Sequence, residues 1–274
     1  MANDLVTLLA NNPALVQTGL DEDTLAVSGG GGASRSKRIS IKGGVFRLMA
    51  GGKEIGAIED RHMNVIFVKM AHQASRMYYQ SGYQEGQKVS PLCWSSDSNA
   101  PDPEVKSPMA SKCSECEMSV KGSGQGGLGS ACRLSWRTAV VLPNDPSGDV
   151  MQLVLPATST FGKEDNGRFP FRPYIQHLAS HNVSAGRIVT KMAFDTKSPT
   201  PKVMFSPAGA VPETDLETVA RQAKSAAAEA AIKMNVYQLD EGEAEAEPQK
   251  RSVAKPVEVP EKDISDVVKK WSKK

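Results

Sequence analysis

Cys93, Cys113, Cys116 and Cys132 are the residues of this chain best suited to chemistry, and they are its complete set of thiols. Their spacing is C-x19-C-x2-C-x15-C. Cys113 and Cys116 form a C-x2-C knuckle, the local geometry in which two thiolates share a tetrahedral zinc ion. Four thiolates fill the coordination shell of Zn2+ and leave no open position, so the expected chemistry is structural rather than catalytic. Glycines at 122, 124, 126, 127 and 129 let the chain fold back and carry Cys132 to the knuckle. Free thiols, a redox pair at the knuckle and an iron–sulfur cluster are the other readings of the same residues. No thioredoxin-like βαβ pattern surrounds the knuckle, and the long first gap departs from common cluster spacings. Zinc is the expectation carried forward, and its minimal role is a clip that orders a loop.

The cysteines sit in a basic, aromatic-bearing stretch. Residues 1–33 carry a net charge of −4, residues 34–210 a net +8 and residues 211–274 a net −2. A basic middle between acidic ends suits a polyanion binder whose ends compete for the same surface, although an ordinary solvated surface has the same balance. Eleven of the fifteen aromatic residues lie between Phe46 and Tyr174, and several adjoin a cation, as in Phe46-Arg47, Arg76 to Tyr79, Trp136-Arg137 and Arg168 to Arg172. Single-stranded nucleic acid needs cations along its phosphates and flat rings under its bases. The phosphate contacts expected are Lys42, Arg47, Arg76, Lys121, Arg133, Arg137, Arg168 and Arg172. The stacking candidates are Tyr78, Tyr79, Trp94 and Phe171, with Tyr83 in the same irregular stretch. Phe46, Phe67, Phe194 and Phe205 fall in strand patterns and are expected in the core.

The elements that must position these groups are mostly strands. RISIK, VFRLM and EIGAI are short alternating segments separated by glycine pairs, which are hairpin signals. NVIFVKM (64–70), WRTAVVL (136–142), VMQLVLP (150–156), RIVTKMAFD (187–195) and KVMFSP (202–207) read as further strands. Residues 144–148 make a turn, and a short helix fits 173–181 with Leu178 facing inward. Residues 95–131 are rich in Ser, Gly, Pro and Lys, cannot form an apolar core, and must be disordered or tied by metal. The expected organisation is a flexible arm at 1–34, a β-rich core at 35–210 with the zinc insertion at 93–132, a helix within 211–239, and an acidic, charged tail at 240–274.

Other classes lack support. No apolar run approaches the roughly 18–20 residues of a membrane span, and the N-terminal residues lack the pattern of a signal peptide, so the expected location is cytoplasmic. No P-loop, Rossmann fingerprint or G-x-S-x-G motif is present. His177 and His181 stand at i, i+4, but the segment HLASH lacks the glutamate of a zinc protease, so packing or surface roles are expected.

At CWSSDSNAPDPEVKSP, CSECEMSVKGSGQGGLGSACRLSWRTAVVL, LVLPATSTFG and MAFDTKSPTPKVMFSP the sequence resembles tailed-phage proteins of DNA replication, in particular single-stranded DNA-binding, helix-destabilising proteins. The resemblance spans about residues 60–210. It implies an OB-like, mainly antiparallel β-barrel with a zinc module inserted, a C-terminal helix, and an acidic region that recruits replication partners. On this chain those features map to the four cysteines and to Asp240 through Glu247. Two departures stand out: the family's zinc site usually includes a histidine, and here the chain continues past the acidic patch into VVKKWSKK. The function so implied is non-catalytic coating of single-stranded DNA in phage replication or recombination, in the host cytoplasm, with self-association on the DNA. The alternatives are a zinc-stabilised structural or protein-interaction module of a phage and, less favoured, a zinc-dependent DNA-processing enzyme.

Overall fold

The computed structural model describes residues 37–80, 90–127, 129–234 and 236. The expected arm at 1–34, Tyr83, and the acidic tail at 240–274 lie outside the described residues. All the described residues fall in one compact unit, and a second unit, Gly242–Lys274, lies wholly outside them.

The unit is mainly β, as expected, and ten strands make one curled, mixed sheet. They are β1 (Arg38–Ser40), β2 (Phe46–Ala50), β3 (Lys53–Ile58), β4 (His62–Met70), β5 (Ser75–Tyr78), β6 (Cys93–Ser95), β7 (Cys132–Val141), β8 (Met151–Pro156), β9 (Ile188–Phe194) and β10 (Val203–Ala210). The main path runs β10-β9-β4-β7-β8-β1-β2-β3, and β5 leaves it by pairing with both β6 and β7. The sheet is not all antiparallel, because β1 joins β8 in parallel. The glycine pairs behave as hairpin signals should. Gly51 and Gly52 both take positive φ (55° and 78°), and Ala50 pairs with Lys53 across that two-residue turn.

β4 is the hinge of the curl. Its residues His62–Val65 pair with β9, whereas Ile66–Met70 pair with β7, with an irregularity between Phe67 and Lys69. A strand that serves two ladders must bend, and a bulge supplies the local twist. The curl brings β2 and β9 face to face although four strands lie between them in the path, so that the Phe46 and Phe194 rings meet at 4.4 Å. The result is a half-barrel: among the described residues no ladder joins β10 to β3.

Alternation in β4 divides the core. Met63, Val65 and Phe67 face the interior with Phe46, Leu153, Leu155, Phe194 and Phe205, and Ile66 faces the other side with Val141, Val211 and Val219. The interior is capped by α1 (Ala157–Thr160) and α2 (Phe171–Ser180). Phe171, Tyr174 and Leu178 form the buried stripe of α2, and the Tyr174 hydroxyl hydrogen-bonds Thr190 Oγ1 at 2.9 Å. The opposite face is covered by α3 (Glu213–Gln222) and α4 (Ala226–Ile232). One Ala-rich helix is expected from the sequence there, but two form, because Ser225 caps α4 by accepting from the Ala228 amide at 3.2 Å. These helices belong to the core rather than hanging from it. Ala228 and Ala231 pack on Ala139, and Gln152 Nε2 donates to the Ala231 carbonyl at 2.7 Å.

Candidate metal centre

The three-stranded group β6-β5-β7 builds the site. Tyr78 of β5 is directly opposite Cys93 of β6 on one side and Cys132 of β7 on the other. Directly paired residues share a face of the sheet, so the two border cysteines flank Tyr78 on one surface. Arg76 lies two residues back on that same face, opposite Ser95 and Leu134. Neither β5 nor β6 is legible as a strand in the sequence, since each is three or four residues long and β6 starts at a ligand candidate.

The insertion folds over this surface with little apolar help. Among the described residues of the insertion, Val105, at 8% exposure, is the one buried aliphatic side chain, and backbone and hydroxyl hydrogen bonds carry much of its shape. The Cys113 amide donates to Asn99 O at 2.9 Å and the Ser98 hydroxyl to Ala74 O at 2.7 Å, which ties the knuckle to the sheet. The Gly122 and Gly124 amides both donate to Gly129 O, at 2.7 and 3.0 Å, and close the return loop. A Cβ on Gly124 would stand 3.3 Å from Gly129 O and the Ser130 carbonyl carbon, so a side chain there would press the neighbouring backbone back by a few tenths of an ångström.

All four cysteines are buried and unpaired as disulfides, and they line one cavity together with Arg76, Tyr78, Trp94, Ser95, Lys112 and Ser119. Among the described residues, no group of three or more His, Cys, Asp or Glu side chains meets the geometry for holding a metal ion as it stands. The thiols therefore share a cavity without being closed into a coordination shell. Burial pushes the Cys132 thiol up to about 11, reinforced by repulsion from Cys113, Cys116 and Cys93 and opposed by the Arg76 charge. Cys113 is raised chiefly by burial as well, while a hydrogen bond with Ser95 and the Arg76 charge pull it down. Mutually repelling, buried thiolates are the donor set that a divalent cation stabilises, and the chemistry of the four residues fits zinc.

The nucleic-acid candidates scatter. Lys42, Lys121 and Arg172 are exposed, whereas Arg47, Tyr78, Tyr79, Arg133 and Arg168 are half-buried. Arg47 is paired with Glu54 at 2.6 Å and Arg168 with Asp165 at 3.0 Å. The Tyr79 hydroxyl reaches Met77 Sδ at 3.5 Å. Two candidates are corrected by their burial. Phe171 is 2% exposed and its ring meets Phe67, Trp136 and Phe205, so no face is left for a base. Arg137 is 3% exposed and its Nη1 donates to the Ser75 hydroxyl beneath the sheet, out of reach of phosphate. Both sit where an alternating strand or helix stripe turns them inward, and the neighbouring aromatic or cation in the sequence gives no sign of that. Arg76 Nε and Trp94 Nε1 are buried without a hydrogen-bond partner.

Sequence reasoning missed Phe161, an exposed ring directly after α1 with the Arg172 guanidinium 5.9 Å from its centroid and Trp136 edge-on at 6.5 Å. Phe161 and Arg172 are eleven positions apart, so adjacency in the chain could not reveal the pair. His177 stacks on Phe169 at 4.7 Å, and His181 Nδ1 lies 2.9 Å from the His177 carbonyl, which accounts for both histidines by packing. Among the described residues no helix is long and apolar enough to cross a membrane. Compared with protein-family models, curated proteins and solved structures, the chain matches none.

Proposed function

We propose that this chain is a non-catalytic single-stranded DNA-binding protein of phage DNA replication or recombination, built on an OB-like half-barrel with a structural zinc module. The observation that carries the reading is the gathering of Cys93, Cys113, Cys116 and Cys132 in one buried cavity under an insertion whose described residues have almost no apolar core, set in the basic stretch 34–210. Four thiolates leave zinc no open position, so the metal would be a staple rather than a catalyst. The long strand β4, shared between two ladders of a curled sheet, supports the OB-like comparison. Phosphate contacts would come from the exposed Lys42, Lys121 and Arg172, and from the half-buried Arg133. Stacking would come from the exposed Phe161 and from the half-buried Tyr78 and Tyr79. The acidic segment from Asp240 to Glu247 would recruit replication partners, and neighbouring copies would associate along the strand.

The test is competition between single- and double-stranded oligonucleotides for the full chain at two salt concentrations. The reading expects preference for the single strand and an affinity that falls linearly with salt on logarithmic axes, as counterions are released. No binding in low salt contradicts it. A second reading, a zinc-stapled protein-interaction module of a phage, is favoured by one observation. Leu92, Met109 and Val120 are exposed apolar residues on or beside the insertion, at 37%, 40% and 59%. That reading expects stable assemblies without nucleic acid.

A further inference from the structure

A zinc ion held by four thiolates carries a net charge of −2, and a buried dianion is costly unless cations or hydrogen-bond donors surround it. The cavity lined by the cysteines contains such groups. Arg76 is on the same face of β5 as Tyr78, whose direct neighbours across the sheet are Cys93 and Cys132. Its Nε is buried with no hydrogen-bond partner, and so is the Ser119 hydroxyl, which stands one turn past Cys116. The other nearby hydroxyl is committed, because Ser95 Oγ donates to Asp97 Oδ1 at 3.0 Å. Two buried donors without acceptors, Arg76 Nε and the Ser119 hydroxyl, line the same cavity as the four buried cysteines. A buried polar atom left unpaired keeps its full desolvation penalty.

We propose that Arg76 offsets the charge of the four-thiolate zinc centre and positions its sulfurs, with Arg76 Nε–H and the Ser119 hydroxyl donating hydrogen bonds to them. The inference rests on the zinc reading above. It takes Arg76 away from DNA, where its place beside Tyr78 and Tyr79 in the sequence would put it. Donors to metal ligands orient the ligands and lower the charge density on them, which tightens the site.

The experiment measures zinc affinity of the full chain, by competition with a chromophoric chelator, for the wild type, R76Q, R76K and S119A. R76Q is expected to weaken zinc about 10–100-fold, the usual effect of losing a group that supports a ligand. R76K should retain more, because the charge persists while the planar donor is lost. Cobalt(II) substitution gives a second readout. Loss of a donor to sulfur raises its electron density and moves the sulfur-to-cobalt charge-transfer band to lower energy in R76Q and S119A. If R76Q does not fold, the S119A band decides. Unchanged affinity and band in the variants overturn the inference and leave the zinc reading intact. A wild type that binds no zinc overturns both. A fall of about one in the salt slope of DNA binding in R76Q returns Arg76 to a phosphate and also overturns it.

Discussion

The half-barrel and the cysteine insertion are two parts of one compact unit held by different forces. In the half-barrel, rings and branched side chains such as Phe46, Phe67, Leu153 and Phe205 are fully buried, and helices cover both faces of the sheet. In the insertion, four cysteines stand where such side chains would be, and the remaining order comes from turns closed by Ser98, Ser123 and the glycines. A hydrophobic core tolerates the loss of one contact in proportion to the atoms removed. A centre with four ligands has no such gradation, since one missing thiolate opens the shell. The contrast teaches where each kind of perturbation should be felt.

The largest effect should come from the metal. Chelation, or Cys116→Ser, is expected to abolish hydrogen-exchange protection across residues 93–132 while β4, β7 and β9 keep theirs, because structural zinc contributes about 10–16 kcal/mol to the folding of small modules. Exchange measured by mass spectrometry checks it, and uniform loss of protection in both regions would erase the distinction. Next, Phe67→Ala should destabilise the half-barrel by about 3–5 kcal/mol in a denaturant titration, since the ring is 1% exposed and meets Phe171 and Phe205.

DNA contacts sharpen the comparison at smaller scale. Tyr78→Ala should cost about 1–3 kcal/mol of single-strand affinity, as the loss of a stacked base does. Arg172→Gln should lower the salt slope by about one, whereas Phe171→Ala should lower stability and leave the slope alone. The smallest effect is on pH dependence. The hydrogen bond from Lys202 holds Asp195 in the β9–β10 hairpin below the usual carboxylate range, and the Asn99 amide does the same for Asp97 in the insertion. Both depressed groups contribute stability that is complete above about pH 4, where the unfolded carboxylates ionise, and that is lost as pH falls through the folded values. Thermal melts of Asp195→Asn and Asp97→Asn should therefore flatten the acid limb relative to the wild type.

Sequence pattern and fold agree where periodicity is strong. The runs containing Phe46, Phe67, Phe194 and Phe205 are strands, and all four rings are buried. Cys93 and Cys132 stand at the starts of β6 and β7. Shorter elements escaped because pairing with β7, rather than local propensity, makes Ser75–Tyr78 a strand. The break at Ser225 hid within an Ala-rich run whose apolar spacing continues across the cap. Side-chain direction was the hardest part. Arg137 and Phe171 read as surface groups beside other cations and aromatics, but register and helix phase turn both inward.

The metal content of the full chain, set beside its reactive thiols, tests the central claim most directly. The account predicts one zinc per chain, with four thiols that resist a thiol reagent until a chelator removes the metal. A chain that carries no metal, keeps its insertion ordered and shows four freely reactive thiols would contradict it.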